Sequence, residues 1–219
     1  MKQLICAILC TLFLTSCSEH DKVIPPGLDG NEENVELQTN IRIENLDHKS
    51  GTAVTSWRHI AFFNFEKGIL VKEPEGDNWE IGFGLRQLYI NGGISSPDVT
   101  RDGNGKGAII DRNYSTILAK PDVTLLKGDD EENEDWALGE GLGTRSWYVI
   151  VNAAIFKPIK NRSFFIETAD GKHYVKLRII SPYKDIFDGF DDLDYNTVTG
   201  FGHYTFEYQI INKQDNFKQ

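Results

Sequence analysis

Cysteine and methionine are nearly missing from this chain of 219 residues, and each absence closes off a class of chemistry. There are three cysteines, Cys6, Cys10 and Cys17, and one methionine, Met1. A mature chain that starts at Cys17 has a single thiol, no disulfide and no thioether. Basic residues are outnumbered, 23 Lys and Arg against 33 Asp and Glu, for a net charge of −10. With no basic stripe and interleaved aromatics, such a chain repels phosphate backbones, which argues against nucleic acid as a partner. No apolar run reaches the ~20 residues of a membrane-spanning helix. Catalytic signatures are also missing: there is no Gly-x-Ser-x-Gly elbow, no His-Glu-x-x-His and no Cys/His couple, so the chain does not read as an enzyme.

What is present at the N-terminus is an export signal. Lys2 supplies the positive start, Leu4 to Leu14 the apolar run, and Leu14-Thr15-Ser16-Cys17 the lipobox pattern of bacterial lipoproteins. Cleavage of residues 1–16 leaves Cys17 to carry diacylglycerol and an acylated amine of the palmitate type. Several acyl chains, at about 0.8 kcal/mol per buried methylene, hold a soluble domain on a membrane. An ordinary secretory signal with an incidental cysteine is the alternative. Residues 17–34 hold Ser18-Glu19-His20-Asp21-Lys22 and Pro25-Pro26-Gly27, a composition suited to a flexible tether. Acids just after the acylated cysteine resemble the signals that send lipoproteins of Bacteroidetes-type bacteria to the outer face of the outer membrane; plain solvated linker is the other reading.

Residues 35–219 have the period of strands. Val35 to Ile43 alternates apolar and polar, and the runs from Trp57 to Phe65, Trp79 to Leu88, Trp147 to Phe156, Ser163 to Thr168, Tyr174 to Ile180 and His203 to Ile211 are aromatic and β-branched. Turn chemistry bounds them, with Asp170-Gly171 the strongest hairpin signal because both residues tolerate positive φ. Ser181 to Phe190 allows one short helix. The expected fold is therefore all-β, a single antiparallel β-sheet domain. The acid run Asp129 to Asp135 lacks the spacing and turn glycine of an EF-hand and is expected to be a solvated loop. Gly103, Gly105 and Gly107 lead into strand-like residues with no Lys-Ser/Thr pair, which excludes a phosphate loop. Asp188, Asp191, Asp192 and Asp194 would suit a two-carboxylate hydrolase or a metal, but acids in a Gly-rich loop more often face water.

The order of motifs brings a resemblance. Trp57, Phe62-Phe63-Asn64-Phe65-Glu66-Lys67-Gly68, Trp79-Glu80-Ile81-Gly82-Phe83, Asn91-Gly92-Gly93, Gly103-Asn104-Gly105-Lys106-Gly107, Trp147-Tyr148 and Phe165 to Lys172 follow one another in the order seen in the HmuY family. From Ile41 to Ile211 the chain resembles these outer-membrane lipoproteins. The resemblance implies an all-β haem carrier that scavenges haem and passes it to a TonB-dependent outer-membrane receptor. It also implies paired histidine or methionine axial ligands, and here the chain departs: Leu118 to Phe156, the corresponding stretch, contains neither residue. The remaining candidates for a haem site are His173 and His203, the phenol of Tyr148, and Trp136 as a wall. His20, His48 and His59 fall in the tether, a polar loop and a strand run. Trp147 and Phe156 are expected in the core, whereas Trp136, beside the acids, has no obvious core partner. The rival expectation is a binding or scaffold lipoprotein of the same fold that has lost haem and takes a glycan, a protein or another small molecule.

Overall fold

Alternation of apolar and polar side chains is what pairs these strands and faces them inward. The computed structural model describes residues 38–55, 58–139, 145–151, 155–187 and 198–217. The signal, the tether, Trp57 and Asp188, Asp191, Asp192 and Asp194 lie outside the described residues. The chain is all-β. Its strands are β1 (Ile41–Asp47), β2 (Thr52–Ala53), β3 (His59–Asn64), β4 (Ile69–Val71), β5 (Ile81–Phe83), β6 (Leu88–Ile90) and β7 (Gly93–Ile94). There follow β8 (Lys106–Ile110), β9 (Asp129–Asp130), β10 (Tyr148–Val151), β11 (Ile155–Pro158), β12 (Ser163–Glu167), β13 (His173–Tyr183) and β14 (Phe201–Asn212).

One antiparallel sheet has the order β1-β14-β13-β12-β8; a second has β2-β3-β5-β6, with β4 also on β3. The strands β10 and β11 pair by themselves, and β7 with β9 forms the one parallel pairing among the described residues. The two large sheets close on a shared core. Tyr204, Phe206 and Tyr208, alternate residues of β14, meet Phe63, Phe65 and Phe83 at ring-centroid separations of 4.7 to 6.0 Å. The opposite face of the first sheet is covered as well. Phe165, Tyr174 and Ile211 pack under Ile117, Leu126 and Phe217.

Several expectations are corrected. The strand expected from Val35 starts at Ile41; Gln38 is in a turn with φ 69°. Trp79 to Leu88 is not one strand: Gly84 to Gln87 fold it back, so that Phe83 pairs with Leu88. Trp147 to Phe156 likewise divides between β10 and β11, with Tyr148 opposite Pro158. The short helix expected from Ser181 begins instead as strand. Ser181 and Tyr183 pair with Thr205 and Phe201, and register shifts accommodate Pro182, which has no N–H to donate. His48, expected in a polar loop, lies there in a 3-10 turn and is buried, its Nδ1 3.1 Å from the Gly202 carbonyl oxygen.

Candidate binding site

Strand β8 forms one wall of a groove of about 290 Å³. Ala108, Ile109, Leu125 and Ala137 supply its apolar surface, and Lys127, Arg145, Arg162 and Asp111 its polar surface. Two backbone hydrogen bonds between Gly107 and Lys127, 2.7 and 3.1 Å, dock the Lys127 backbone against β8. Gly139 keeps the other side close: its φ is +86°, and a Cβ there would collide with the Arg145 carbonyl oxygen. A glycine is required at that crossing.

The groove is positive in a negative molecule. Its three cations are offset by two carboxylates: Arg162 Nε donates to Asp111 over 2.8 Å, and Lys127 and Arg145 both bind Asp135. Those two donors hold the Asp135 carboxyl below its ordinary pKa. The resulting site has an apolar floor and a cationic rim, a form that suits a small ligand with an apolar body and one or more carboxylates. The lining residues among those described include no histidine, tyrosine, cysteine or methionine, hence no axial ligand for haem iron.

The residues expected from the sequence are dispersed. Trp136 borders the groove through its neighbour Ala137, and its carbonyl accepts from Arg145 at 3.2 Å. Its ring does have partners, edge-on to Tyr89 at 5.7 Å and under the Arg101 guanidinium at 5.7 Å. Tyr148 is buried between Trp147 and Phe156, at 4.6 and 4.9 Å. Its hydroxyl has no hydrogen-bond partner among the described residues, and burial pushes its pKa up, the opposite of what phenolate ligation asks. Trp147 is in the core, as expected, and Phe156 packs against it half-buried.

His173 and His203 do not converge. His173 pairs with Asn212 at one end of β14, and His203 lies nine positions earlier on the same strand, a separation of about 30 Å at 3.3 Å per residue. The two cannot clamp one iron. His173 Nδ1 is 2.6 Å from Glu66; His203 Nδ1 is 2.8 Å from the Gly200 carbonyl oxygen. The described residues therefore do not offer haem the paired axial ligation that the resemblance implies.

A buried polar cluster behind the groove was not anticipated. Asp129, expected in a solvated run, is 1% exposed. Its Oδ1 accepts from the Ala137 N–H and its Oδ2 from the Ile90 N–H, both at 2.9 Å, and Oδ2 also accepts from the fully buried Arg101 guanidinium at 3.4 Å. Burial raises the Asp129 pKa, against these hydrogen bonds and the Arg101 charge. The glycine motifs belong to the same construction: Asn91-Gly92-Gly93 crosses Gly105 and Asp129 so closely that a Cβ would meet backbone. Those motifs are packing devices. Compared with known proteins, the chain matches no family model and no curated sequence.

Proposed function

We propose that this chain is a surface-exposed, lipid-anchored binding protein that captures haem or a related anionic ligand for delivery to a TonB-dependent outer-membrane receptor. The observation that carries the binding role is the groove of Lys127, Arg145 and Arg162 above Ala108, Ile109 and Ala137. Haem matches its chemistry through two propionates and an apolar face, and the motif order favours haem as the cargo. The lipobox at Cys17 and the following tether support attachment to the outer membrane. The groove volume lies at the lower end of the ~300–1,000 Å³ of small-molecule sites, so a flat ligand as large as porphyrin would enter by one edge.

The missing axial donors favour a second reading, in which the same groove holds a smaller carboxylate ligand and haem ligation has been lost. Titration of the purified mature protein with ferric and ferrous haem, followed at the Soret band, separates the two. A saturable shift weakened about tenfold or more by Arg145→Glu with Lys127→Glu, the scale of lost charge-assisted hydrogen bonds, supports haem capture at this groove. No saturable shift in either redox state removes haem and leaves the second reading.

A further inference from the structure

At the Glu167 end of β12, remote from the Ser163 end that adjoins the groove, one imidazole and two carboxylates come together. Glu66 comes from the turn after β3, and Asp170 and His173 from the hairpin between β12 and β13. One ligand atom from each, all half-buried, lies within 4.8 Å of the other two. We propose that Glu66, Asp170 and His173 form a binding site for a divalent transition-metal ion of the zinc type.

The donor chemistry selects the ion. An imidazole nitrogen with two carboxylates suits Zn²⁺ and its first-row neighbours, whereas Ca²⁺ and Mg²⁺ take oxygen donors alone. Bonds of about 2.0–2.2 Å at tetrahedral angles place two donors on one zinc about 3.3–3.6 Å apart, so side-chain rotations of about an ångström close the set. The two carboxylates carry the charge that a divalent ion neutralises. His173 Nδ1 and Glu66 Oε1 already lie 2.6 Å apart, a gap that an entering ion widens.

The framework around the set is fixed. Asp170 Oδ1 is held by the Thr168 hydroxyl at 2.7 Å and the Lys172 N–H at 3.0 Å, which aims the other oxygen outward. The partner of that oxygen is the ammonium of Lys172, 2.6 Å away on a side chain 72% exposed, which an ion displaces into water. Glu66 is anchored by its turn, where the Asn64 side chain accepts from the Lys67 N–H at 2.8 Å. Asp77 adds its charge to this group: Asp170 first, then Glu66 and Asp77, raise the pKa of the neighbouring Lys172 ammonium. Such a concentration of negative potential beside an imidazole draws a cation to this end of the domain. Three protein ligands leave a fourth position of a tetrahedral ion for water.

The site is independent of the groove, and its test uses the metal alone. Mature protein stripped with chelator is titrated with ZnCl₂ in a calorimeter, beside His173→Ala and Asp170→Asn variants that give the parent far-UV circular dichroism. One equivalent of zinc is expected to bind, with affinity falling about tenfold or more in each variant, the scale on which metal sites respond to lost partners. CaCl₂ in excess is expected to leave the zinc isotherm unchanged. Should either variant fail to fold, Glu66→Gln, which keeps the side-chain volume, takes its place. Absence of zinc heat, or affinity unchanged in the variants, overturns the proposal and leaves His173 and Glu66 as a simple ion pair.

Discussion

Lys176 stands in the middle of β13 with its ammonium sealed beneath two aromatic rings. Its Nζ donates to the Ile117 carbonyl oxygen at 3.0 Å and lies 4.4 Å from the Tyr114 ring centroid and 5.0 Å from that of Phe217. Burial pushes its pKa down to about 8, from an ordinary 10.5. The fold therefore favours the neutral amine, and unfolding takes up a proton between those two values. The contribution of Lys176 to stability is complete above pH 10.5 and is lost as the pH falls through about 8. Lys176→Met, which keeps the length of the stem, is expected to remove this dependence. Urea midpoints at pH 7.5 and 9.5 measure it: the parent should gain stability relative to the variant at the higher pH, and equal differences at both would refute the assignment.

The sequence around Lys176 carries a clear alternation, Val175, Leu177 and Ile179 against Tyr174, Lys176 and Arg178. Period two separates the faces of a strand and assigns the first set to the core, where it lies. It does not tell whether the second face meets water or another segment, because that depends on where residues 113–126 and Phe217 travel. Asp129 was illegible for the same reason. Seven residues of acidic, amide-bearing chain read as solvent-exposed, and nothing local marks the first of them as the partner of Arg101, 28 positions earlier. Of the haem candidates, only Trp136 has a place beside the groove.

At the level of strands and turns, local chemistry was the better guide. Asp170-Gly171 does close the β12–β13 hairpin, with Glu167 opposite Tyr174. The error lay in long aromatic runs, where two short strands folded back on each other look like one. Gly84 was the available signal in the first such run, since an interior glycine weakens a strand and marks a bend. The glycine motifs carry a testable distinction of their own. Gly93 and Gly76 both have positive φ, 101° and 52°, but a Cβ on Gly93 would run into the Asp129 backbone while one on Gly76 meets nothing within 4 Å. Gly76→Ala is expected to cost about 1 kcal/mol, the backbone strain alone. Gly93→Ala adds the loss of the parallel β7–β9 pairing and disturbs the buried Asp129–Arg101 pair, for about 3 kcal/mol or more. Thermal melts of the two variants test this; equal shifts would mean that the crossing at Gly93 carries no special constraint.

Across the whole molecule, stability depends on how the two large sheets share their interior. Among the described residues there is no cysteine, Cys6, Cys10 and Cys17 all preceding them, so no disulfide ties these strands together. Cohesion must come from side chains that touch both sheets. Phe206 is the chief of these: fully buried on β14, it lies 5.4 Å from Phe63 of β3 and 4.7 Å from Phe83 of β5, stacked on the latter. Its removal strips packing from both layers at once. Phe206→Ala is expected to cost about 3–5 kcal/mol, a large part of the ~5–15 kcal/mol that a domain of this kind has in total. If the sheets form one cooperative unit, the loss lowers a single urea transition in which tryptophan fluorescence and far-UV circular dichroism still coincide. Trp79 makes the comparison informative, because it packs on the outer face of the second sheet against Phe62 at 4.6 Å, away from the substituted site. A variant in which fluorescence and circular dichroism separated into two transitions would show that the second sheet holds together without the first. The sharing of Phe206 between β3, β5 and β14 predicts that they will not separate.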